Sequence, residues 1–378
     1  MTSVSPSVLF VVTEDWYFVS HRLAMARILQ RAGWHVALAA RFSGHETALE
    51  AEGIRCIPIR LRRTRVSMLG EVHAIRELRA LYRRERPTIV HHVALKPVIF
   101  GGLAALGLKG LAVVNAVAGL GFLFSSSSSR ARIGRLFAVP LLRRLFSREN
   151  AWSIVQHPED EQELRRRGIG RPGHVVLIRG AGVDTSAFRA LPEAPGVPVV
   201  LFAGRMLKDK GVADFVDAAR LLQAQGIVTR FELIGAPDSE NPGSHSVADL
   251  EGWHREGVIT WRGHSSTMPE VLAAAHVVCL PTTYGEGVPK ILIEAAASGR
   301  AIVATDWPGC REVVRDGVNG LLVPPRDPVA LASAIARLIA DPALRARMGA
   351  AGSRLAAEEF SVEAVTAATL ALYQQAQA

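Results

Sequence analysis

Cysteine is scarce in this chain, and its scarcity excludes two structural schemes. Cys56, Cys279 and Cys310 are the only three in 378 residues and lie far apart. Neither a disulfide framework nor a zinc ribbon can be built from them, so they read as small buried hydrophobes in a reducing compartment. Aromatic residues are also few, at 6%. They are not interleaved with the cations as an RNA-stacking surface requires, which excludes nucleic acid as a partner. No Asp-x-Asp occurs, and no two histidines stand three to five residues apart, so no metal pair is expected. Lysine is nearly absent. Only Lys96, Lys109, Lys208, Lys210 and Lys290 break an arginine-dominated set of 44 cations, and each is a candidate for a role that needs a compact ammonium. Long hydrophobic runs are missing too. Residues 97–124 hold one charge, Lys109, but glycines at 101, 102, 107, 110, 119 and 121 split the stretch into helix, turn and buried strand rather than a membrane span. Val8–Val12 is too brief and wrongly flanked for a signal peptide.

What is present is an ordinary globular composition, 49% apolar and 21% charged, at a length that suits two domains. The net charge of +9 is unevenly shared. Residues 1–190 hold 28 Lys+Arg against 14 Asp+Glu, and residues 191–378 hold 16 against 21. The basic half suits an anionic lipid surface or a phosphorylated substrate. Short β-branched runs alternate with helical stretches in both halves, which predicts α/β architecture with two doubly wound parallel sheets in tandem and a cleft between them. The boundary is placed at the proline-rich stretch Leu191-Pro192-Glu193-Ala194-Pro195-Gly196-Val197-Pro198, read as a linker. The domains are then 1–190 and 191–359, with a last helix, 360–378, packing back on the first.

Two stretches carry chemistry. In the first, the strand Val277–Leu280 ends at Pro281, a loop follows with glycines on both sides of Glu286, and Pro289 stands where a first helical turn should begin. Glu286 thus lies at the carboxyl end of a parallel strand, where open α/β sheets bind ligands. Gly287 and Val288 present amides at a helix N-terminus, an anion site. Glu294 lies one to two turns along, able to reach a ribose diol or simply to face solvent. In the second stretch, Phe202-Ala203-Gly204-Arg205-Met206-Leu207-Lys208-Asp209-Lys210-Gly211, a strand ends in glycine and three cations fall within six residues. Arg205 and Lys210 could flank a diphosphate. The Gly119-Leu120-Gly121 and Gly180-Ala181-Gly182 turns lack the third glycine of a dinucleotide fingerprint, which argues against a dehydrogenase.

With these stretches, the Glu286/Glu294 spacing, Ala304-Thr305-Asp306-Trp307-Pro308-Gly309-Cys310-Arg311-Glu312 and Gly317-Val318-Asn319-Gly320-Leu321-Leu322-Val323, the sequence resembles retaining glycosyltransferases of family 4, which have the two-domain GT-B fold. In the first half, Phe18-Val19-Ser20-His21-Arg22-Leu23, His91-His92-Val93-Ala94-Leu95-Lys96-Pro97 and Asn115-Ala116-Val117-Ala118-Gly119-Leu120-Gly121-Phe122 resemble bacterial enzymes that extend undecaprenyl-diphosphate-linked glycans, N-acetylgalactosaminyltransferases acting on diacetylbacillosaminyl-diphospho-undecaprenol among them. The resemblance implies a hexosyl or N-acetylhexosaminyl donor, with UDP favoured as the carrier. It implies that Arg205 and Lys210 neutralise the departing diphosphate and that Glu286 binds donor-sugar hydroxyls. Gly204, Gly287, Val288 and Pro289 would shape the donor pocket, and Glu294 would hold the ribose. His21, Arg22, His92, Lys96, Gly119 and Gly121 become the acceptor-binding candidates. No cofactor and no metal are implied, the nucleotide sugar being a substrate. A nucleotide-sugar 2-epimerase, which shares the donor pocket, is the alternative. The sequence departs from the family after the first strand, where Glu14-Asp15-Trp16-Tyr17 replaces a Gly-Gly loop, and at Val93, where many members have histidine.

Residues Arg130–Arg148 hold six arginines and no acid, interleaved with Ile133, Leu136, Phe137, Leu141, Leu142, Leu145 and Phe146. Pro140 is expected to interrupt any helix there. A basic amphipathic segment of this kind suits an anionic membrane, and Arg60–Arg86 adds nine arginines against three glutamates. The expectation is a cytoplasmic protein docked peripherally on the inner face of the bacterial membrane, where a polyprenyl-diphosphate acceptor resides.

Overall fold

The computed structural model describes residues 5–63, 67–117, 129–283 and 285–377. Gly119 and Gly121, two of the acceptor candidates, and most of the serine run 125–129 lie outside the described residues. The chain divides into two compact units, Met1–Gly182 with Val362–Ala378, and Val183–Ser361.

The first unit is a parallel sheet of seven strands, β1 (Ser7–Glu14), β2 (His35–Arg41), β3 (Arg55–Pro58), β4 (Ile89–Val93), β5 (Ala112–Ala116), β6 (Ala151–Val155) and β7 (Val175–Leu177), in the order β3-β2-β1-β4-β5-β6-β7. Between the strands run α1 (Asp15–His21), α2 (Leu23–Arg31), α3 (Glu46–Ala51), α4 (Met68–Glu85), α5 (Leu95–Ala104), α6 (Ser129–Phe146) and α7 (Pro158–Arg166). Val8–Val12 is buried throughout because β1 pairs on both edges, Val8 facing Val36 of β2 and Ile89 of β4, and helices cover both faces. That is why it reads as a continuous apolar run rather than an alternating one.

The second unit repeats the topology with β8 (Val199–Ala203), β9 (Arg230–Ile234), β10 (Thr260–Trp261), β11 (Val277–Leu280), β12 (Ala301–Thr305) and β13 (Gly320–Val323), ordered β10-β9-β8-β11-β12-β13. Its helices are α8 (Val212–Ala224), α9 (Val247–Arg255), α10 (Met268–Ala274), α11 (Lys290–Ala297), α12 (Pro308–Val313), α13 (Pro328–Ala340) and α14 (Pro342–Glu359). The last helix, α15 (Val362–Gln377), belongs to the first unit, where Val365, Leu372 and Tyr373 join the core around Phe10 and Phe18. Both units have the Rossmann-like order expected of the GT-B fold. In each, the order reverses at one strand pair, β1/β4 and β8/β11, and ligands of such sheets bind at the carboxyl ends of that pair.

Three expectations are corrected. The proline-rich stretch 191–198 is not a free linker. Arg300, 1% exposed, donates to the Leu191 carbonyl, His276 Nε2 bonds the Ala194 carbonyl at 2.9 Å, and Glu193 accepts two bonds from Arg345 at 2.9 and 2.7 Å. The stretch is a strap on the second unit, and the division falls earlier, at Gly182/Val183. Pro140 does not interrupt α6 but sits exposed inside it. The missing N–H costs one backbone bond while the rest of the helix is held by packing. The same packing uses the apolar stripe assigned to a membrane: Leu142, Leu145 and Phe146 are buried against Val98, Val155 and Leu164. Among the described residues the exposed apolar side chains of the first unit are instead Met68, Leu69 and Val72 at the start of α4, and Leu136. No helix among the described residues is long and apolar enough to cross a membrane.

Candidate functional site

The loops after β8 and β11 meet at the second unit's switch point. The turn Lys208–Lys210 ends at Gly211, with φ +75°. A Cβ added there would stand 2.0 Å from the Pro281 carbonyl oxygen, so only glycine lets the two loops approach. The Asp209 carbonyl accepts from the Thr283 amide at 2.8 Å and the Thr282 hydroxyl at 3.1 Å. On this clasp the Lys210 ammonium bonds Glu286 Oε2. The pair is about four-fifths buried, and the other carboxylate oxygen, Oε1, is buried without a partner among the described residues. The site therefore holds one partly shielded cation, one carboxylate with a spare acceptor, and the amides of Gly287 and Val288 ahead of α11. Gly309, at the start of α12, packs so closely that a Cβ would lie 1.9 Å from the Gly287 carbonyl oxygen, which pins the loop from behind.

Arg205 and Glu294 are each ion-paired. Arg205, at the end of β8, donates to Asp238 at 2.8 Å and keeps 44% of its side chain exposed. Glu294 is not a surface charge. It is 6% exposed, on α11, and paired with Lys290 one turn earlier. Burial raises its carboxyl above the ordinary glutamate value, and the Lys290 ammonium works the other way. Pro289 caps α11 rather than opening it: its ψ of 120° is extended, and the helix begins at Lys290. Asp238 was not identified from sequence, and Lys290 was singled out only as one of five lysines. Lys290 carried two signals, its rarity and its i,i+4 spacing to Glu294; Asp238 is remote in sequence and carried none.

In the first unit the Glu14–Tyr17 segment is a strand end followed by α1, and its two acids bind the end of β2 and the segment after it. Glu14 pairs with Arg41 at 2.9 Å. Asp15 accepts from the Ser43 amide at 2.7 Å, the Ser43 hydroxyl at 2.6 Å and the His45 amide at 3.2 Å. Burial raises the Asp15 carboxyl, but these bonds outweigh it and hold the group below its ordinary value. His21 ends α1 rather than lying in a loop, half-buried and stacked on Tyr17 with centroids 4.1 Å apart. Lys96 lies 3.5 Å from Glu71 and over the Phe100 ring.

His92 is not available to an acceptor. It is 0% exposed, donates from Nδ1 to Asn115 Oδ1 at 2.9 Å and accepts at Nε2 from the Tyr82 hydroxyl at 2.9 Å. Burial brings its pKa down to about 4, against the opposing Asn115 hydrogen bond and with a small push from Arg148, so it is a neutral core residue. Side chains alternate along a strand, and the twin histidines therefore face opposite sides of β4. His91 faces α15, with its Nδ1 2.5 Å from the Tyr373 hydroxyl and its ring stacked on Phe10. Arg22, between α1 and α2, is 4% exposed. Just past β4, Ala94 holds φ +73° and ψ 161°, a conformation that is nearly glycine-only and marks functional positions.

Comparison with known proteins agrees with this architecture. Residues 7–152 match the family model described as Glycosyl transferase 4-like, and residues 197–341 match Glycosyl transferases group 1. Among curated relatives, the alpha-D-kanosaminyltransferase of Streptomyces kanamyceticus is 30% identical over 56% of this chain and 57% of its own length. The N,N'-diacetylbacillosaminyl-diphospho-undecaprenol alpha-1,3-N-acetylgalactosaminyltransferase of Campylobacter jejuni is 28% identical over 68% of this chain and 69% of its own. The chain spans about half the length of most curated relatives it matches. Of solved structures, sucrose-phosphate synthase from Thermosynechococcus elongatus aligns at a TM-score of 0.80 with 22% identity, covering 98% of both chains. HepE of Anabaena, in complex with UDP and glucose, aligns at 0.74 with 19% identity, over 96% of this chain and 99% of its own.

Proposed function

We propose that this chain, which carries a glycosyl transferase 4-like domain followed by a glycosyl transferases group 1 domain, is a retaining, metal-independent glycosyltransferase. It moves a hexose or N-acetylhexosamine from a nucleotide sugar, by preference UDP-linked, to an undecaprenyl-diphosphate-linked saccharide. The observation that carries the reading is the Lys210–Glu286 pair at the β8/β11 switch point. Glycosyl transfer develops negative charge on the leaving diphosphate and positive charge on the sugar ring. A fixed ammonium beside a carboxylate with a vacant acceptor oxygen meets both demands at once. Lys210 exchanges Glu286 for the diphosphate as the donor enters, and the released carboxylate accepts from sugar hydroxyls. Arg205 leaves Asp238 for the same phosphates. Glu294 accepts from the ribose. Retention by front-face attack lets the departing phosphate take the acceptor's proton, so no separate protein base is required.

The acceptor class is supported by the basic first unit, by its exposed Met68 and Leu69, and by the name of the Campylobacter relative. The protein then works at the inner face of the cytoplasmic membrane. The test is a donor screen with a short-chain polyprenyl-diphosphate saccharide, read by mass spectrometry. One added hexosyl or N-acetylhexosaminyl mass with a UDP-sugar is expected. Sugar interconversion from UDP-sugar alone, with no acceptor product, would mean a 2-epimerase instead.

A further inference from the structure

Among the described residues, the deeply buried arginines are compensated, with one exception. Arg300 donates to the carbonyls of Ser298, Ala275 and Leu191. Arg345 meets Glu193 and the carbonyls of Leu338 and Ile339. Arg22, 4% exposed, makes no hydrogen bond and no ion pair from its guanidinium among the described residues, and its Nε is buried with no partner. The acids nearest in sequence are engaged elsewhere, Glu14 by Arg41 and Asp15 by Ser43 and His45. What surrounds Arg22 is neutral: Tyr17, Tyr373 and His91, whose imidazole is held well below its ordinary value by burial and then by the Arg22 charge itself. Burying an uncompensated cation costs several kcal/mol, and proteins keep such a group where something else supplies the opposite charge.

A second orphan stands beside it. His91 Nε2 is also buried without a partner. Nδ1 lies 2.5 Å from the Tyr373 hydroxyl; when that hydroxyl donates, the ring proton resides on Nε2, a second donor lacking an acceptor. Arg22 is the residue at which α2 begins, and that nine-residue helix presents its positive end at the same place. The strained Ala94 backbone lies three residues beyond His91. Two unsatisfied donors, a helix N-terminus and no carboxylate form a receptor for an anion.

We propose that Arg22 and His91, with Tyr373 of the last helix setting the His91 tautomer, form a phosphate- or diphosphate-binding site at the β1/β4 switch point of the first unit. Identifying the anion as the diphosphate of a lipid-linked acceptor rests on the transferase reading; the anion site itself does not. Free phosphate and a lipid headgroup share the recognised chemistry, and the experiment separates them.

The experiment is thermal unfolding of the full chain with inorganic pyrophosphate, farnesyl diphosphate, farnesol or UDP, for wild type, Arg22→Met and Arg22→Lys. Pyrophosphate should raise the wild-type Tm. Arg22→Met should be at least as stable as wild type without anion, because an uncompensated charge is gone, and its pyrophosphate shift should vanish while the UDP shift remains. Arg22→Lys keeps the charge without the fork and should bind pyrophosphate several-fold more weakly, which decides the matter even if Arg22→Met folds poorly. Farnesyl diphosphate binding tenfold tighter than pyrophosphate, with farnesol inert, assigns the site to a lipid-linked anion; equal affinities assign it to free anion. No pyrophosphate shift in wild type, or an undiminished shift in Arg22→Lys, overturns the proposal. If UDP and transfer activity are present without a pyrophosphate effect, the anion site fails and the transferase reading stands. If UDP does not bind but the pyrophosphate shift depends on Arg22, the reverse holds.

Discussion

The Lys210 ammonium bonds the Glu286 carboxylate across the loops that follow β8 and β11, so a partly shielded cation is neutralised by the acid of the facing loop. In the proposed reaction the donor separates the two.

Removing either partner should cripple turnover and spare the fold. Glu286→Ala is expected to abolish detectable transfer, and Lys210→Ala to lower kcat by about 10²–10³, the usual effect of losing one group aimed at developing charge. Each change leaves a mostly buried charge unpaired and should lower the Tm, so circular dichroism at the assay temperature checks that the variant is folded. Transfer above a tenth of wild type in Lys210→Ala would remove this residue from the reaction.

Glu294 gives a pH signature. Its carboxyl is raised in the folded protein by burial, against 4.5 for the free group. Its stabilising effect is therefore fully present below 4.5 and lost as pH rises through the elevated folded value. Tm of wild type minus Tm of Glu294→Gln should fall across that window. UDP affinity has the opposite sense, because the ribose needs the ionised acid, and should drop as pH falls through the same value. Lys290→Met, lacking the cation that favours ionisation, should move the drop to higher pH. Isothermal titration from pH 4.5 to 8 tests both shifts.

His92 separates structure from function. Tyr82→Phe removes the hydroxyl that satisfies His92 Nε2 and leaves a buried acceptor unpaired, for a loss of about 1–3 kcal/mol in urea unfolding. Steady-state transfer at 20 °C should be unchanged. A selective rise in acceptor KM at full stability would return His92 to the acceptor site.

Ala94 offers the opposite sign. Its left-handed φ costs roughly 1–3 kcal/mol, and glycine adopts it freely at an entropic cost of about 0.4–1 kcal/mol. Ala94→Gly should stabilise the protein by about 1 kcal/mol. A lower urea midpoint would show that the Cβ does more good than the strain does harm.

Both sheets and the boundaries of most strands were legible in the sequence, because a strand buried on two faces must be apolar at every position, as Val8–Val12 and Val277–Leu280 are. The donor loops were legible for a similar reason: glycine, proline and charge fall at fixed offsets from a strand end. What was not legible is tertiary. Gly349, inside α14, lies against Gly299, where a Cβ would stand 2.0 Å from the carbonyl oxygen, and no local pattern announces that approach. Strand alternation could have separated His91 from His92, but which face was closed depended on Tyr82 and Asn115. The proline-rich stretch looked like a linker because the residues that hold it, Arg300 and Arg345, come more than a hundred positions later.

The return of α15 to the first unit sets an order of assembly. A nascent chain leaving the ribosome has all of residues 183–361 in hand before Tyr373 exists, so the inserted unit can mature while the flanking one still lacks a core helix. His91 waits for a partner made 282 positions later. Removing α15 should therefore damage the first unit and not the second.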